Sequence, residues 1–391
     1  MPTAAGLARA LAAQLADPNL GVGPHIEVID ALTGKVLLDR LGTAATIPAS
    51  TQKLITAAAA LTALGPRTRF TTRVMTAGSN VYLVGGGDPT LSAQPAVTGY
   101  PASADLNELA RAVAARHQPV GQVIAVAPGY GGPDEAEGWN PSYLGDGQAA
   151  RVRSLLVDES KVAPGNGPGS RFDDPVLAAA RAFKVALTNA GITSGDASAG
   201  VLPRGTAVIA SVTSPPVSAL VERMLTFSDA DIAEGLGRQI ALKLHKPPTF
   251  EGTGEALTQV VKELGLPAGS HFSDASGLSR TDALAPAILV SLLRLAVLGS
   301  QPQLRTLLNA VPIAGFTGTL AERYNGAAGA GAGQVRAKTG WLNGAAALAG
   351  VVTTADHRQL IFAADAPTYA RYGGESALDR LAAALATCGC Q

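Results

Sequence analysis

Residues 47–61 read Ile47-Pro48-Ala49-Ser50-Thr51-Gln52-Lys53-Leu54-Ile55-Thr56-Ala57-Ala58-Ala59-Ala60-Leu61. Everything after Lys53 has the composition of a helix, mostly Ala and Leu, with no Gly or Pro until Gly65-Pro66. Pro48 fixes φ and carries no N–H, so the helix cannot extend backwards through it. Ser50 therefore stands at or just before the first helical turn. Lys53, three residues on, projects from the same face. A hydroxyl and an amine so placed make a serine nucleophile with its own base, and the unpaired N–H groups of the first turn can hold a developing oxyanion. Taken alone, Ser-x-x-Lys favours the plainer reading, an N-cap serine with a surface lysine one turn on. No other serine in this chain has lysine at the third following position, and the reading turns on whether partners exist elsewhere.

Composition narrows where to look. With 391 residues there is room for two or three domains, and 47% hydrophobic against 15% charged residues suits large cores. Formal net charge is +0 with a pI of about 7.0, and no basic patch is visible, which argues against nucleic acid as a partner. No apolar run approaches the roughly 18 residues of a membrane span. Met1-Pro2-Thr3-Ala4-Ala5 lacks the layout of a signal peptide, so the protein is either cytoplasmic or numbered after a removed export segment. Cys388 and Cys390 are too close to staple a fold unless they bond to each other or to another chain. The five histidines are scattered without ligand spacing, so neither a metal site nor a cofactor is expected.

Along the chain, residues 4–16 read as a helix, and His25 to Asp30 with Lys35 to Leu38 as a hairpin about Thr33-Gly34. After Gly65-Pro66 the texture changes. Short strands are expected at Arg69 to Met75, Asn80 to Val84, Val120 to Ala127 and Val152 to Val157, with a helix over 103–116. Gly85-Gly86-Gly87-Asp88-Pro89 reads as a tight loop, since neither Lys-Ser/Thr nor a helix follows it as a phosphate cradle requires. Helices follow over Asp173 to Ala190, Val217 to Leu225, a segment through Leu244, 253–264 and 283–297. Ala207 to Val212 reads as a strand. Antiparallel strands over 345–353 and 358–364 precede a terminal helix from about Ser376 to Thr387.

Lys338-Thr339-Gly340 occurs once, on an expected strand just ahead of that last hairpin. Ser-x-x-Lys at a helix start, a Ser-Asp element on a distant helical segment, and Lys-Thr-Gly on a strand form, in that order, the three-motif set of serine acyl-transferases acting on D-amino-acid peptides and β-lactams. Pro48 to Lys53, Gly86 to Leu91, Ser214-Pro215-Pro216, Ser228-Asp229, Asp274-x-Ser276-Gly277-Leu278-Ser279, Pro312 to Gly315 with Gly318-Thr319-Leu320, and Arg336 to Gly340 together resemble the class C low-molecular-mass penicillin-binding proteins, D-alanyl-D-alanine carboxypeptidase/endopeptidases. The resemblance runs from about Ile26 to the terminal helix, and Cys-Gly-Cys at the end resembles actinobacterial members.

That resemblance implies an α/β (α+β) fold: a serine β-lactamase/transpeptidase-like domain with an antiparallel sheet flanked by helices, interrupted by one small α/β insertion. The catalytic domain is expected at 1–67 and 166–391 and the insert at 68–165. It implies Ser50 as nucleophile and Lys53 as its base. Burial and the neighbouring cation Lys338 should depress the lysine's pKa from about 10.4. Ser228 is expected to relay a proton to the leaving D-Ala, Lys338 and Thr339 to bind the terminal carboxylate, and Gly340-Trp341 to line the cleft, the Trp341 N–H completing the oxyanion hole with that of Ser50. The implied partners are peptidoglycan stem peptides and β-lactam antibiotics, outside the cytoplasmic membrane. Two departures stand out. The second motif has Ala230 where the family has Asn, with Asp231 adjacent, so a catalytically impaired relative that binds peptidoglycan or a partner is the alternative; a β-lactamase is a third option. The Gly138-Trp139 segment has Tyr143 and nearby Asp146 where some members hold the peptide's free amino group.

Overall fold

The computed structural model describes residues 2–94, 103–163 and 169–389. A five-stranded antiparallel sheet is built from both ends of the chain, in the order Val335–Leu342, Ala345–Thr353, Gln359–Ala366, His25–Asp30, Val36–Arg40. Val28 lies opposite Phe362, so strands more than 300 residues apart in sequence are neighbours, and Ala349 lies opposite Ala363 on the other side of the same strand. Their period-two pattern divides the side chains between two cores. Ile29, Ala349, Val351, Ile361 and Ala363 face one cluster with Leu54, Leu220 and Ile288. Val28, Leu348, Val352, Phe362 and Ala364 face the other, with Leu378 and Leu381 of the terminal helix Arg371–Thr387. Each core is therefore helix on sheet.

The helix Lys53–Ala59 lies inside the first core, and every one of its residues is buried. That explains its near-uniform apolar composition, since a helix enclosed on all sides needs no polar face. The helices Val217–Phe227, Ala230–Lys243, Phe250–Glu263 and Pro286–Leu298 pack around it. Among the described residues no single helix is long and apolar enough to cross a membrane.

A second sheet, in the order Ala197–Ala199, Val123–Val126, Asn80–Val84, Thr71–Ala77, Ala207–Thr213, has its own core beneath the helices Leu106–Ala114 and Pro175–Asn189. Residues 169–213, assigned to the main domain on sequence grounds, supply two strands and a helix to this layer. The reason is long-range pairing: Val74 lies opposite Ala210 and Val123 opposite Ala197. The strand expected at Val152 to Val157 is not formed. That segment crosses the glycine loop instead, its Ser154 carbonyl accepting from Gly87 N at 2.9 Å and its Val152 N–H donating to Asp134 O at 2.9 Å. A Cβ on Gly85 would stand 2.3 Å from the Ser154 carbonyl oxygen, so the crossing needs glycine there. Gly87 takes φ +84°, and Asp88 accepts from the N–H and hydroxyl of Thr90, which makes the loop a turn.

Candidate active site

Ser50 sits in a short 3₁₀ turn, Ala49–Gln52, that leads into the buried helix at Lys53. Ala49, just before it, has φ +46°, a left-handed conformation that L-residues adopt only under constraint. The constraint is close packing from two other segments. A Cβ on Gly277 would meet the Ala49 carbonyl oxygen at 2.0 Å, and one on Gly340 would meet the Pro48 carbonyl oxygen at 3.0 Å. Both glycines thus let distant chain segments close onto the serine turn. Lys53 is completely buried. Its Nζ donates to Ser50 Oγ at 2.9 Å and to the Ser276 carbonyl at 2.7 Å. Burial lowers its pKa to about 8, against the opposing pull of the Asp274, Glu234, Asp229 and Asp231 carboxylates.

Ser228 ends the helix Val217–Phe227 in the left-handed conformation, φ 61° and ψ 34°. Its Oγ accepts from Lys338 Nζ at 2.9 Å, and the same amine donates to the Thr339 carbonyl at 2.7 Å. Lys338 is also completely buried; burial, then the charges of Lys53 and Arg323, push its pKa well below the usual lysine range. Burial is the leading cause of the depression at both amines, and the charge of each disfavours the ammonium form of the other.

Lys338 belongs to the edge strand Val335–Leu342. Ala337 N donates to the Pro312 carbonyl and Val335 O accepts from Ala314 N, both away from the sheet. Strand alternation aims the N–H groups of Thr339 and Trp341 the same way. Beyond that short contact no described strand pairs this edge, which borders a cleft of about 610 Å³. Ser50, Lys53, Ser228 and Ala230 line the cleft together with Thr339, Gly340 and Trp341. Lys338 reaches it only through Ser228 and the strand. Asp146 lines it from the inserted region, its Oδ2 accepting from Ser142 Oγ at 2.5 Å. Asp231 does not stand in for the missing amide: its carboxylate accepts from Ala150 N at 2.7 Å and pairs with Arg171 at 2.9 Å.

Sequence reasoning missed several participants. Thr319 lines the cleft with its Oγ1 2.8 Å from that of Thr339, and Leu278 lines it from the Asp274–Ser279 loop. Both lie in quoted motifs to which no role was attached. Arg323, held by Asp379 at 2.8 and 2.9 Å, carried no sequence signal at all.

Residues 7–171 and 165–385 match the model of the D-Ala-D-Ala carboxypeptidase 3 (S13) family. A carboxypeptidase of Mycobacterium tuberculosis is 37% identical over 398 residues, covering 100% of this chain and 85% of the relative. Carboxypeptidase DacB of Mycolicibacterium smegmatis is 38% identical over 400 residues with the same coverage. In fold, the chain is similar to penicillin binding protein 4 of Haemophilus influenzae, with a TM-score of 0.77 at 21% identity over 97% of this chain and 98% of that one. That protein has also been solved in complex with a β-lactam.

Proposed function

We propose a function from one premise: the chain belongs to the D-Ala-D-Ala carboxypeptidase 3 (S13) family. It is a serine-type D-alanyl-D-alanine carboxypeptidase/endopeptidase working through an acyl-enzyme. The observation that carries the reading is the convergence of two hydrogen-bonded Ser–Lys pairs, Ser50–Lys53 and Ser228–Lys338, on one cleft beside an open strand edge.

The peptide lies along the edge of Val335–Leu342 as an added strand. Thr339, with Lys338 and Arg323 behind it, takes the terminal carboxylate. Neutral Lys53 accepts the Ser50 proton as Oγ attacks the penultimate D-Ala carbonyl. The backbone N–H groups of Ser50 and Trp341 hold the oxyanion. Ser228, bonded to Lys338, passes a proton to the departing D-Ala nitrogen, and water then hydrolyses the ester. A β-lactam acylates the same serine because its ring amide mimics the scissile bond. The natural substrate is a peptidoglycan stem peptide, which places the working protein outside the cytoplasmic membrane. Asp146 and Tyr143 line the cleft, and in this reading they meet the peptide's diamino acid. The impaired-relative alternative, raised by Ala230, is not favoured, because both Ser–Lys pairs keep hydrogen-bonding distance. The test is release of D-Ala from a D-Ala-D-Ala peptide, with Ser50→Ala as control. Release by the native chain that Ser50→Ala abolishes supports the reading, and no release by either contradicts it.

A further inference from the structure

The loop Asp274–Ser279 meets the nucleophile helix through three successive backbone carbonyls. Asp274 O accepts from Gln52 Nε2 at 2.8 Å, Ala275 O from Thr56 Oγ1 at 2.6 Å, and Ser276 O from Lys53 Nζ at 2.7 Å. One completely buried carboxylate organises this loop. Asp274 Oδ1 accepts from Ser276 N at 2.9 Å, Gly277 N at 2.6 Å and Gln52 Nε2 at 3.1 Å. Its Oδ2 accepts from Ser279 N at 2.7 Å and Trp139 Nε1 at 2.7 Å. These are all N–H donors, the surroundings of an ionised carboxylate.

We propose that Asp274 is the positioning residue of the Ser50–Lys53 pair, tying the Lys53-binding loop to the nucleophile helix through Gln52 and to the inserted region through Trp139. The proposal rests on the reading of Ser50 and Lys53 given above. Asp274 neither bonds to Ser50 nor lines the substrate cleft, and it acts through geometry and charge. Geometrically, it folds the loop so that the Ser276 carbonyl holds Nζ and Gly277 abuts the Ala49 carbonyl. Electrostatically, it is the foremost of the carboxylates that favour the Lys53 ammonium.

Other charged groups surround Lys53. Lys338 faces it from the edge strand, Glu234 from the helix Ala230–Lys243, and Asp229 and Asp231 from that helix's start. Asp282, beside Asp274, is pushed up to about 10 by burial and then by the Asp274 charge, and so is protonated near neutrality. Glu234, accepting from Ala275 N at 3.1 Å, is raised to about 8 by burial and then by Asp274. When the Asp274 charge is removed, Glu234 ionises more readily and replaces part of it.

The test measures, against pH, the rate constant for acylation by a chromogenic cephalosporin, together with kcat and KM for a D-Ala-D-Ala peptide. It compares the native chain, Asp274→Asn and Trp139→Phe, each checked for cooperative melting. An amide at 274 must turn its NH₂ toward N–H donors. The misplaced loop should slow acylation about a hundredfold, the cost of an ångström-scale displacement in a catalytic pair. It should act on kcat with KM nearly unchanged, and the acid limb should move to lower pH because Lys53 loses a carboxylate. Trp139→Phe keeps the charge and removes one donor, so acylation should fall about tenfold, the scale of one charge-assisted hydrogen bond, with the limb in place. If Asp274→Asn does not fold, Trp139→Phe decides. A folded variant of either kind with the native rate, or a folded Asp274→Asn with an unmoved limb, overturns the proposal. Ser50→Ala is run alongside: if it still takes up the cephalosporin, the nucleophile assignment fails, a result separate from failure of the positioning role.

Discussion

The acid limb of acylation follows from the burial of one amine. Lys53 can accept the Ser50 proton only when neutral, and burial sets its pKa at about 8. The free amine is then about a tenth of the enzyme at pH 7, about half at pH 8 and about nine-tenths at pH 9, whereas an ordinary lysine near 10.4 leaves fewer than about one molecule in a thousand neutral at pH 7. The sign is fixed by the chemistry: deprotonation creates the base, so the rate rises with pH. The second-order acylation constant should climb roughly tenfold from pH 7 to a plateau near pH 9, reporting the free enzyme. The assay is stopped-flow acylation by a chromogenic cephalosporin in buffers of constant ionic strength. Lys53→Met should remove the limb and slow acylation on the order of a hundredfold to ten-thousandfold, the usual range for a positioned general base. A flat profile from pH 6 to pH 9, or a limb centred near an ordinary lysine value, would refute the assignment of Lys53 as the base.

Three further outcomes are expected. Ala230→Asn should raise D-Ala release from a peptide more than it raises cephalosporin acylation, measured side by side, because an unstrained amide depends more on positioning than a strained lactam. Gly340→Val should abolish penicillin labelling while leaving a folded protein by circular dichroism, since even a Cβ there sits 3.0 Å from the Pro48 carbonyl and 3.1 Å from Ala49 Cβ. Arg171→Met should lower stability by about 3–5 kcal/mol in urea unfolding, because it leaves the buried Asp231 carboxylate, 2.9 Å from the guanidinium, without its cation and takes one cation from buried Glu159, which keeps Lys161 and Arg223.

The sequence made some levels legible and hid others for physical reasons. Local chemistry was readable: Pro48 ahead of an Ala/Leu run places Ser50 at a helix start, and alternation in 25–30 marks a strand of the sheet that divides two cores. Pairing between remote segments was not. Nothing in Ala197–Thr213 says that it joins Thr71–Ala77 and Val123–Val126, so the insert boundary drawn at a change of composition near 165 leaves out the described residues 169–213. Val152 to Val157 has the texture of a strand, yet its hydrogen bonds go to the loops at Gly87 and Asp134, a choice that depends on what crosses it. The same holds in the site. Ser50, Lys53, Ser228 and Lys338 announce themselves by motif. Asp274 acts by gathering Gln52 and Trp139, which are 222 and 135 positions away, and that convergence exists only in the folded chain.

The central claim is that Ser50 is the nucleophile of a penicillin-sensitive D-Ala-D-Ala peptidase. Intact mass after incubation with penicillin, followed by peptide mapping, tests it directly. One penicilloyl adduct on the peptide carrying Ser50, absent from Ser50→Ala, is the expected result; an adduct that survives Ser50→Ala, or none on the native chain, contradicts it.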